Sequence, residues 1–291
     1  MENLSELKQH LRATRQTRQI ANAMYLLSAS QVKRSLQNME YNLSYMQKLH
    51  EVMADILFRT PEGLHKVPFF KLYEHQNPLY VVITSDKGLC GGYHAAVVNL
   101  AITEMQKAQD PQLVTVGDKG AEMLANKGFV PDIALDGFDQ QKPFVTARFL
   151  TEKIIQKYQT IAVNEAYMVY TEYVNAAVQK PVCKRVLPFL QCDFEDQNAC
   201  EQNGIELIYE PDAQTVLNHL APQYLTGMLA DIMIQATACE NTARMAAMQN
   251  ATRNADEMAN QLNDKINAIR QLMITNEITE IAAAAEMNGA V

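Results

Sequence analysis

MAAMQNATRNADEMANQLNDKINAIRQLM (Met245–Met273) is the stretch on which the fold turns. Met245, Met248, Thr252, Ala255, Ala259, Leu262, Ile266, Ile269 and Met273 follow one another three or four apart, the spacing of one face of a helix. The helical character begins much earlier. EPDAQTV carries a start signal, with Pro211 early and Asp212 at or near the cap. Beyond Pro222 and Gly227, near its beginning, nothing breaks the pattern before Gly289. At 1.5 Å per residue, roughly 75 residues give a helix on the order of 110 Å long.

The other end of the chain has the same character. From Asn3 to about Phe58 the sequence reads as one helix, with Leu36, Met39, Leu43, Met46 and Met53, flanked by Leu49, forming an apolar stripe. Roughly 55 residues make this helix about 80 Å long, far beyond the usual dozen or so residues. Such lengths require a partner, and two long helices at opposite termini predict an antiparallel coiled coil. Ala247, Ala251, Ala255 and Ala259 recur every fourth residue, so the backbones can approach closely. The register expected from these stripes sets Leu43 and Met39 opposite Ala247 and Ala251.

Between the helices the chain reads as α/β. Strands are expected at LYVVIT (79–84), LVTVG (113–117), AYMVYTEYVN (166–175), PVCKRVLPFL (181–190) and IELIYE (205–210). Helices are expected over about 94–107, 118–127 and 146–158. The division is therefore 1–58 (N-terminal helix), 59–210 (Rossmann-like α/β domain) and 211–291 (C-terminal helix). All ten prolines lie between Pro61 and Pro222, which agrees with it.

Composition narrows the functions. Of 291 residues, 48% are hydrophobic and 20% charged, as in a soluble globular protein. A net charge of −8 lacks the footprint of a general nucleic-acid binder. No apolar run approaches the roughly 18 residues of a membrane span. Five cysteines without a CxxC motif or a leader-like N-terminus read as reduced thiols of a cytosolic compartment.

SDKGLCGGYH (Ser85–His94) is the one stretch that invites a catalytic or ligand-binding reading. It fails the phosphate-loop test, because Lys87 precedes Gly88 and neither Ser nor Thr follows the glycines into a helix. GxGxxG is absent, and GDKGAEML (117–124) reads as a turn opening a helix. Cys90 could be a thiol at a helix start, but no His or Asp at a telling spacing supports a nucleophile. His50-Glu51 lacks the second histidine of HExxH, so no zinc site is expected. Cys192 and Cys200 could form a redox pair, and two unlinked thiols are the plainer reading. Lys8, Arg12, Arg15 and Arg18 form a basic stripe, with Lys33-Arg34 a second cluster. The stripe reads as a solvated face or as a dock for acidic loops. On these grounds alone, a coiled-coil scaffold of some other complex and an α/β enzyme with Cys90 as nucleophile stay open.

Several motifs carry a resemblance. TRQIANAMYLLSAS (17–30), SDKGLCGGYH, IYEPDAQTVLNHLAPQYL (208–225), ENTARMAAMQNATRNADEM (240–258) and RQLMITNEITEI (270–281) stand in one order along nearly the whole chain. Together they resemble the γ subunit family of F-type ATP synthases, and the chain looks like a somewhat divergent bacterial member. The resemblance implies a non-catalytic central shaft, without cofactor or metal, that couples rotation of the membrane c-ring to nucleotide-site changes in an α₃β₃ ring. It implies α, β, ε and c-ring subunits as partners, one copy per complex, and a peripheral place on the cytoplasmic side of a bacterial inner membrane. Met24, Arg270, Gln271 and Thr275 match positions that face the β subunits, and Glu210 matches one toward the c-ring and ε. Asn22 and Ala268 stand where the family usually carries lysine, and Ile269, Leu272 and Met273 are bulkier than the family's residues beside RQ.

Overall fold

A computed structural model describes residues 4–59, 67–71, 77–138, 140, 142–160, 163–194 and 209–288. Helix α1 runs Leu4–Arg59, and α5, the last element, runs Ala213–Asn288. Between them lie β1 (Leu79–Ile83), α2 (Tyr93–Met105), β2 (Gln112–Val116), α3 (Asp118–Ala125), β3 (Ile133–Leu135), α4 (Pro143–Thr160), β4 (Ala166–Tyr173) and β5 (Gln179–Leu187). The chain divides into two compact units, residues 1–28 with 244–291 and residues 29–243.

The larger unit is built on a five-stranded sheet in the order β3-β2-β1-β4-β5. β1 pairs in parallel with β2 and β4, β2 pairs in parallel with β3, and β5 closes the edge antiparallel to β4. Both faces of the sheet are covered, and the strands show it. LYVVI is buried at every position instead of alternating. On one face Val81, Ile83, Val114, Met168 and Tyr170 meet Met53, Ile56 and Leu57 of α1, Leu150 and Ile154 of α4, and Leu225, Leu229 and Met233 of α5. On the other face Tyr80, Val82, Leu113 and Val169 meet Val97, Val98, Ala101 and Met105 of α2 and Leu124 of α3. The end of α1 and the start of α5 are thus part of the core of the α/β domain.

Four expected strands and all three short helices occur within a few residues of their predicted bounds. β3 had no sequence signal, being three residues long and half-exposed on an edge. Residues 205–208 of the expected strand IELIYE lie outside the described residues, and Tyr209 and Glu210 are not in a strand. Asp212 does cap α5, accepting from the Thr215 backbone N–H at 2.9 Å. Those hydrogen bonds hold its carboxyl below the usual carboxylate range. The helix continues through Pro222 and Gly227, and the Thr226 hydroxyl donates to the Pro222 carbonyl at 2.7 Å.

The expected apolar stripe on α1 needs correction. Leu43 is 57% exposed and Leu36 only partly covered, whereas Ser35 and Asn42 are buried. Burial on α1 recurs every seven residues from Leu7 through Thr14, Ala21, Ser28 and Ser35 to Asn42, and after half-buried Leu49 again at Ile56. The period is that of a coiled coil, but the middle of the seam is small and polar. In the larger unit the reason is steric. The Met46 side chain lies directly against Gly227, in the space a Cβ there would take, so methionine fills the seam at that level. In the smaller unit Leu4, Leu7 and Leu11 pack on Ala259, Leu262, Ile266 and Ile269, and Arg18 pairs with Asp256. The expected register also fails, because the level of Leu43 on α5 is Gly227–Asp231, where neighbouring Asn42 bonds, and not Ala247 and Ala251.

Two glycines test the tightness of the domain. Gly117 has φ +96°, and a Cβ there would lie 2.6 Å from the Ser85 backbone nitrogen, whereas Gly128 has φ +88° and open space around it. Gly128→Ala is expected to cost about 1 kcal/mol from the left-handed backbone alone, and Gly117→Ala about 3 kcal/mol because the collision adds to it. Urea unfolding of the full chain checks this. Equal losses would show that the turn at Gly117 relaxes freely.

Candidate partner interfaces

SDKGLCGGYH leaves the carboxyl end of β1, at the crevice where open α/β sheets usually take ligands. In the order β3-β2-β1-β4-β5 that crevice lies between β1 and β4, and Cys90 and Tyr93 of the loop fill it against Tyr173 at the end of β4 and Cys239 of α5, while on the β2 side the strand end and loop bond to their neighbours. One Asp86 carboxylate oxygen accepts from the backbone N–H of Asp118, the first residue of α3, at 3.1 Å and from that of Gly137 at 2.8 Å. Gly137 has no room for a side chain, since a Cβ would overlap the Asp86 carboxylate. Thr84 Oγ1 accepts from the Gly120 N–H at 3.0 Å and donates to the Val116 carbonyl at 2.9 Å. The backbone donors at the start of α3 are therefore bonded to the chain's own side chains, and acidic Asp118 stands there.

The rest of the loop packs against α5. The Tyr93 hydroxyl donates to the Ala236 carbonyl at 3.2 Å, and Cys90 and Cys239 are buried beside the Tyr93 ring. Burial, followed by the nearby Glu240 carboxylate, raises the Tyr93 hydroxyl well above the usual range, so it remains a donor. His94 Nε2 lies 3.2 Å from the Lys87 carbonyl. Cys90 is 1% exposed, which is wrong for a thiol that must meet a substrate. Among the described residues, no three His, Cys, Asp or Glu side chains are grouped to hold a metal. The geometry makes this loop a joint between sheet and helix.

The surface residues expected to meet partners fall in three places. Arg270, Gln271 and Thr275 are exposed together on α5, and the Thr275 hydroxyl donates to the Gln271 carbonyl at 2.8 Å. They lie at and beyond Ile269, the last α5 residue that packs near Leu4, the first described residue of α1. From there α5 exposes Leu272, Met273, Ile274, Ile278 and Ile281, an apolar surface that α1 does not cover. Met24 lies farther along α1 and is half-buried; its neighbours Asn22 and Tyr25 form a groove with Gln249, Asn250, Arg253 and Asp256. Glu210 belongs to the other unit, exposed just ahead of α5, and the adjacent Tyr209 hydroxyl donates to Asp55 at 3.1 Å. Sequence reasoning missed Asp86 and Tyr93 as the anchors of the loop. A lone Asp after a strand and a Tyr after two glycines carry no distinctive spacing.

Comparison with other proteins adds a separate finding. A family model described as ATP synthase matches residues 3–287. The ATP synthase gamma chain of Pelotomaculum thermopropionicum is 32% identical over 286 residues, covering 98% of this chain and 99% of that relative. The gamma chain of Ruminiclostridium cellulolyticum is 34% identical over 289 residues, covering 97% and 98%. Among solved structures, a chain of the Euglena gracilis mitochondrial ATP synthase (OSCP/F1/c-ring, rotational state 3) superposes with a TM-score of 0.65 at 17% identity, covering 99% of this chain and 96% of that one. A chain of the Tetrahymena thermophila mitochondrial ATP synthase central stalk/c-ring gives 0.58 at 21% identity, covering 80% and 99%. The last two likenesses concern the fold.

The burial of the thiols sets an order of reactivity. Burial pushes the Cys239 thiol up to about 12 and the Cys183 thiol to about 11, while Cys192 is exposed. At pH 8 the Cys239 thiolate is scarcer than that of an ordinary cysteine by about a thousandfold. Mapping iodoacetamide adducts by mass spectrometry should show Cys192 labelled first and Cys239 last among these three. Rapid labelling of Cys239 would show that the joint between loop and α5 opens readily.

Proposed function

The chain belongs to the ATP synthase gamma-chain family, and we propose that it is the central rotor shaft of an F-type ATP synthase. The observation that carries this reading is likeness to gamma chains from end to end, at 32% identity over 98% of the chain. Relatives that shared only a Rossmann-like domain would not extend through both long helices. In this reading rotation of the membrane c-ring turns the shaft, and the orientation of the shaft biases each nucleotide site of the α₃β₃ ring in turn. The partners are then α, β, ε and the c-ring, with one shaft per complex.

The subunit itself is non-catalytic in this proposal. The self-filled crevice and the buried Cys90 support that reading, because neither leaves an open reactive group. No helix of the described residues is long and apolar enough to cross a membrane. Attachment then runs through partners, on the cytoplasmic side of a bacterial inner membrane. We assign 1–58 and 211–291 to the shaft and 59–210 to its base.

Met24, Arg270, Gln271 and Thr275 are assigned to contacts with β, and Glu210 to the c-ring and ε side. Exposure of Arg270, Gln271 and Thr275 on an uncovered stretch of α5 supports their availability to a surrounding subunit. With Asn22 and Ala268 in place of the family's usual lysines, two cationic contacts would be absent. The apolar end of α5 suits a greasy collar, in which a helix turns without breaking fixed polar bonds.

The direct test is to tag the chain in its own cells, solubilise the membranes gently and identify co-purifying proteins by mass spectrometry. Recovery of α, β, ε and ring subunits is expected; recovery alone, or with unrelated partners only, overturns the rotor reading. Met24→Lys adds a charge at the assigned β contact and should reduce proton pumping per ATP hydrolysed in membrane vesicles. Unchanged pumping would remove Met24 from that contact.

A further inference from the structure

The apolar repeat of α1 is not used up by its pairing with α5. Ala29, Val32, Leu36, Met39 and Leu43 stand three, four, three and four residues apart, the spacing of a coiled-coil seam. Yet Leu43 is 57% exposed, and the other four are only half-buried. The buried residues at this level of α1 are their predecessors, Ser35 before Leu36 and Asn42 before Leu43. One residue is about 100° of rotation around a helix, so α1 carries two adjoining seven-residue stripes. The small, polar stripe is covered. The large, apolar one lies open beside it.

Together with Asp231 and Gln235 of α5, the open stripe lines a groove of about 690 Å³. From Ala29 to Leu43 it extends roughly 21 Å along α1, about four helical turns. On the α5 side the polar groups are already satisfied. Asp231 accepts from Asn42 Nδ2 at 3.3 Å and from Gln235 Nε2 at 2.6 Å, and Gln235 Oε1 accepts from the Tyr173 backbone N–H at 3.3 Å. Apolar side chains laid against that wall strand no donor or acceptor.

The α1 rim is different. Lys33 and Glu40 are exposed, line the groove seven residues apart, and have no ion-pair partner among the described residues. An apolar heptad stripe flanked by charges at the same repeat is how coiled-coil helices choose a partner and its orientation. A small ligand fits less well, because such sites converge a few polar groups on an enclosed pocket. This trough is long, and its polar groups stand along its edges.

We propose that the groove takes a third helix, an amphipathic segment of another subunit whose apolar residues repeat three and four apart. A carboxylate of that segment faces Lys33, and a cation about 10 Å further along faces Glu40. Over these turns the helix pair becomes three-stranded, and Leu36 and Leu43 leave water. The groove itself does not depend on the rotor reading. That the helix belongs to another subunit of the same complex rests on it.

The test places a photo-crosslinking phenylalanine analogue at Leu36 or Leu43 of the full chain in its own cells. A third variant carries it at Tyr41, which is 79% exposed and turned away from the groove. After irradiation the tagged chain is purified from gently solubilised membranes, and crosslinked peptides are sequenced by mass spectrometry. One peptide with the heptad repeat should be captured at both Leu36 and Leu43 but not at Tyr41, from a subunit that co-purifies without irradiation. Lys33→Glu and Glu40→Lys, both at exposed positions, should each lower that yield severalfold. Reversing the facing charge in the captured segment should restore it.

No captured peptide, a peptide without the repeat, or a yield indifferent to both charge reversals overturns the third helix. Those results leave the shaft reading standing when α, β and ring subunits still co-purify. Absence of these subunits from the purified material overturns the shaft reading instead, and a heptad peptide that passes the charge-reversal test in that material still supports the groove.

Discussion

The pairing of α1 with α5 in the larger unit is the constraint from which much of this structure follows. Helices of 56 and 76 residues cannot rely on intrinsic propensity for their stability and must bury a continuous face. A seam of leucines would do this by apolar burial alone. This protein instead places Ser35, Asn42 and Gly227 in the contact, and large apolar residues such as Leu43 turn outward. The approach of Gly227 to Met46 leaves little space to fill. Below it, where α1 and α5 enter the domain, Met53, Ile56, Leu57, Leu225 and Leu229 supply conventional apolar burial against the sheet. One end of the helix pair is therefore rooted in a core while the seam above it is specified by shape and hydrogen bonds.

The base domain shows how a ligand-binding architecture can become a mounting block. Its parallel strands put the switch point between β1 and β4, where Cys90 and Tyr93 pack against Tyr173 and Cys239. Asp86 and Thr84 take up backbone donors on the β2 side, and the glycine-rich loop runs on to bond Tyr93 to the Ala236 carbonyl of α5. Lys87, the residue that first suggests a nucleotide site, contributes its backbone carbonyl to His94 instead. Three glycines in such a loop report tight turning and close packing as readily as they report a bound ligand.

Much of this was legible in the sequence, for physical reasons that differ from element to element. LYVVI and LVTV read as strands because burial on both faces demands unbroken apolar runs. The long helices read clearly because nothing interrupts them, and Asp212 announced the start of α5 correctly. β3 was invisible because three half-exposed edge residues need no pattern. The seam was misread because apolar periodicity was weighed and small-residue periodicity was not. Thr14, Ala21, Ser28, Ser35 and Asn42 stand seven apart in the sequence, and counting them would have located the contact on α1. The register could not be read at all, since it depends on how both helices enter the core of the α/β domain. Arg270, Gln271 and Thr275 came from resemblance, and their exposure is a property that no spacing conveys.

The polar, small-residue seam has a thermal consequence. Apolar burial weakens on cooling and leaves a large heat-capacity change on unfolding, whereas hydrogen bonds and close backbone contact contribute much less of that change. The leucine-poor middle of the helix pair should therefore lose less of its cohesion in the cold than the core of the base domain. The domain beneath, rich in buried Val, Ile and Leu, carries most of the curvature of the stability profile. Cohesion between the paired helices therefore varies less with temperature than that of the domain into which they are rooted.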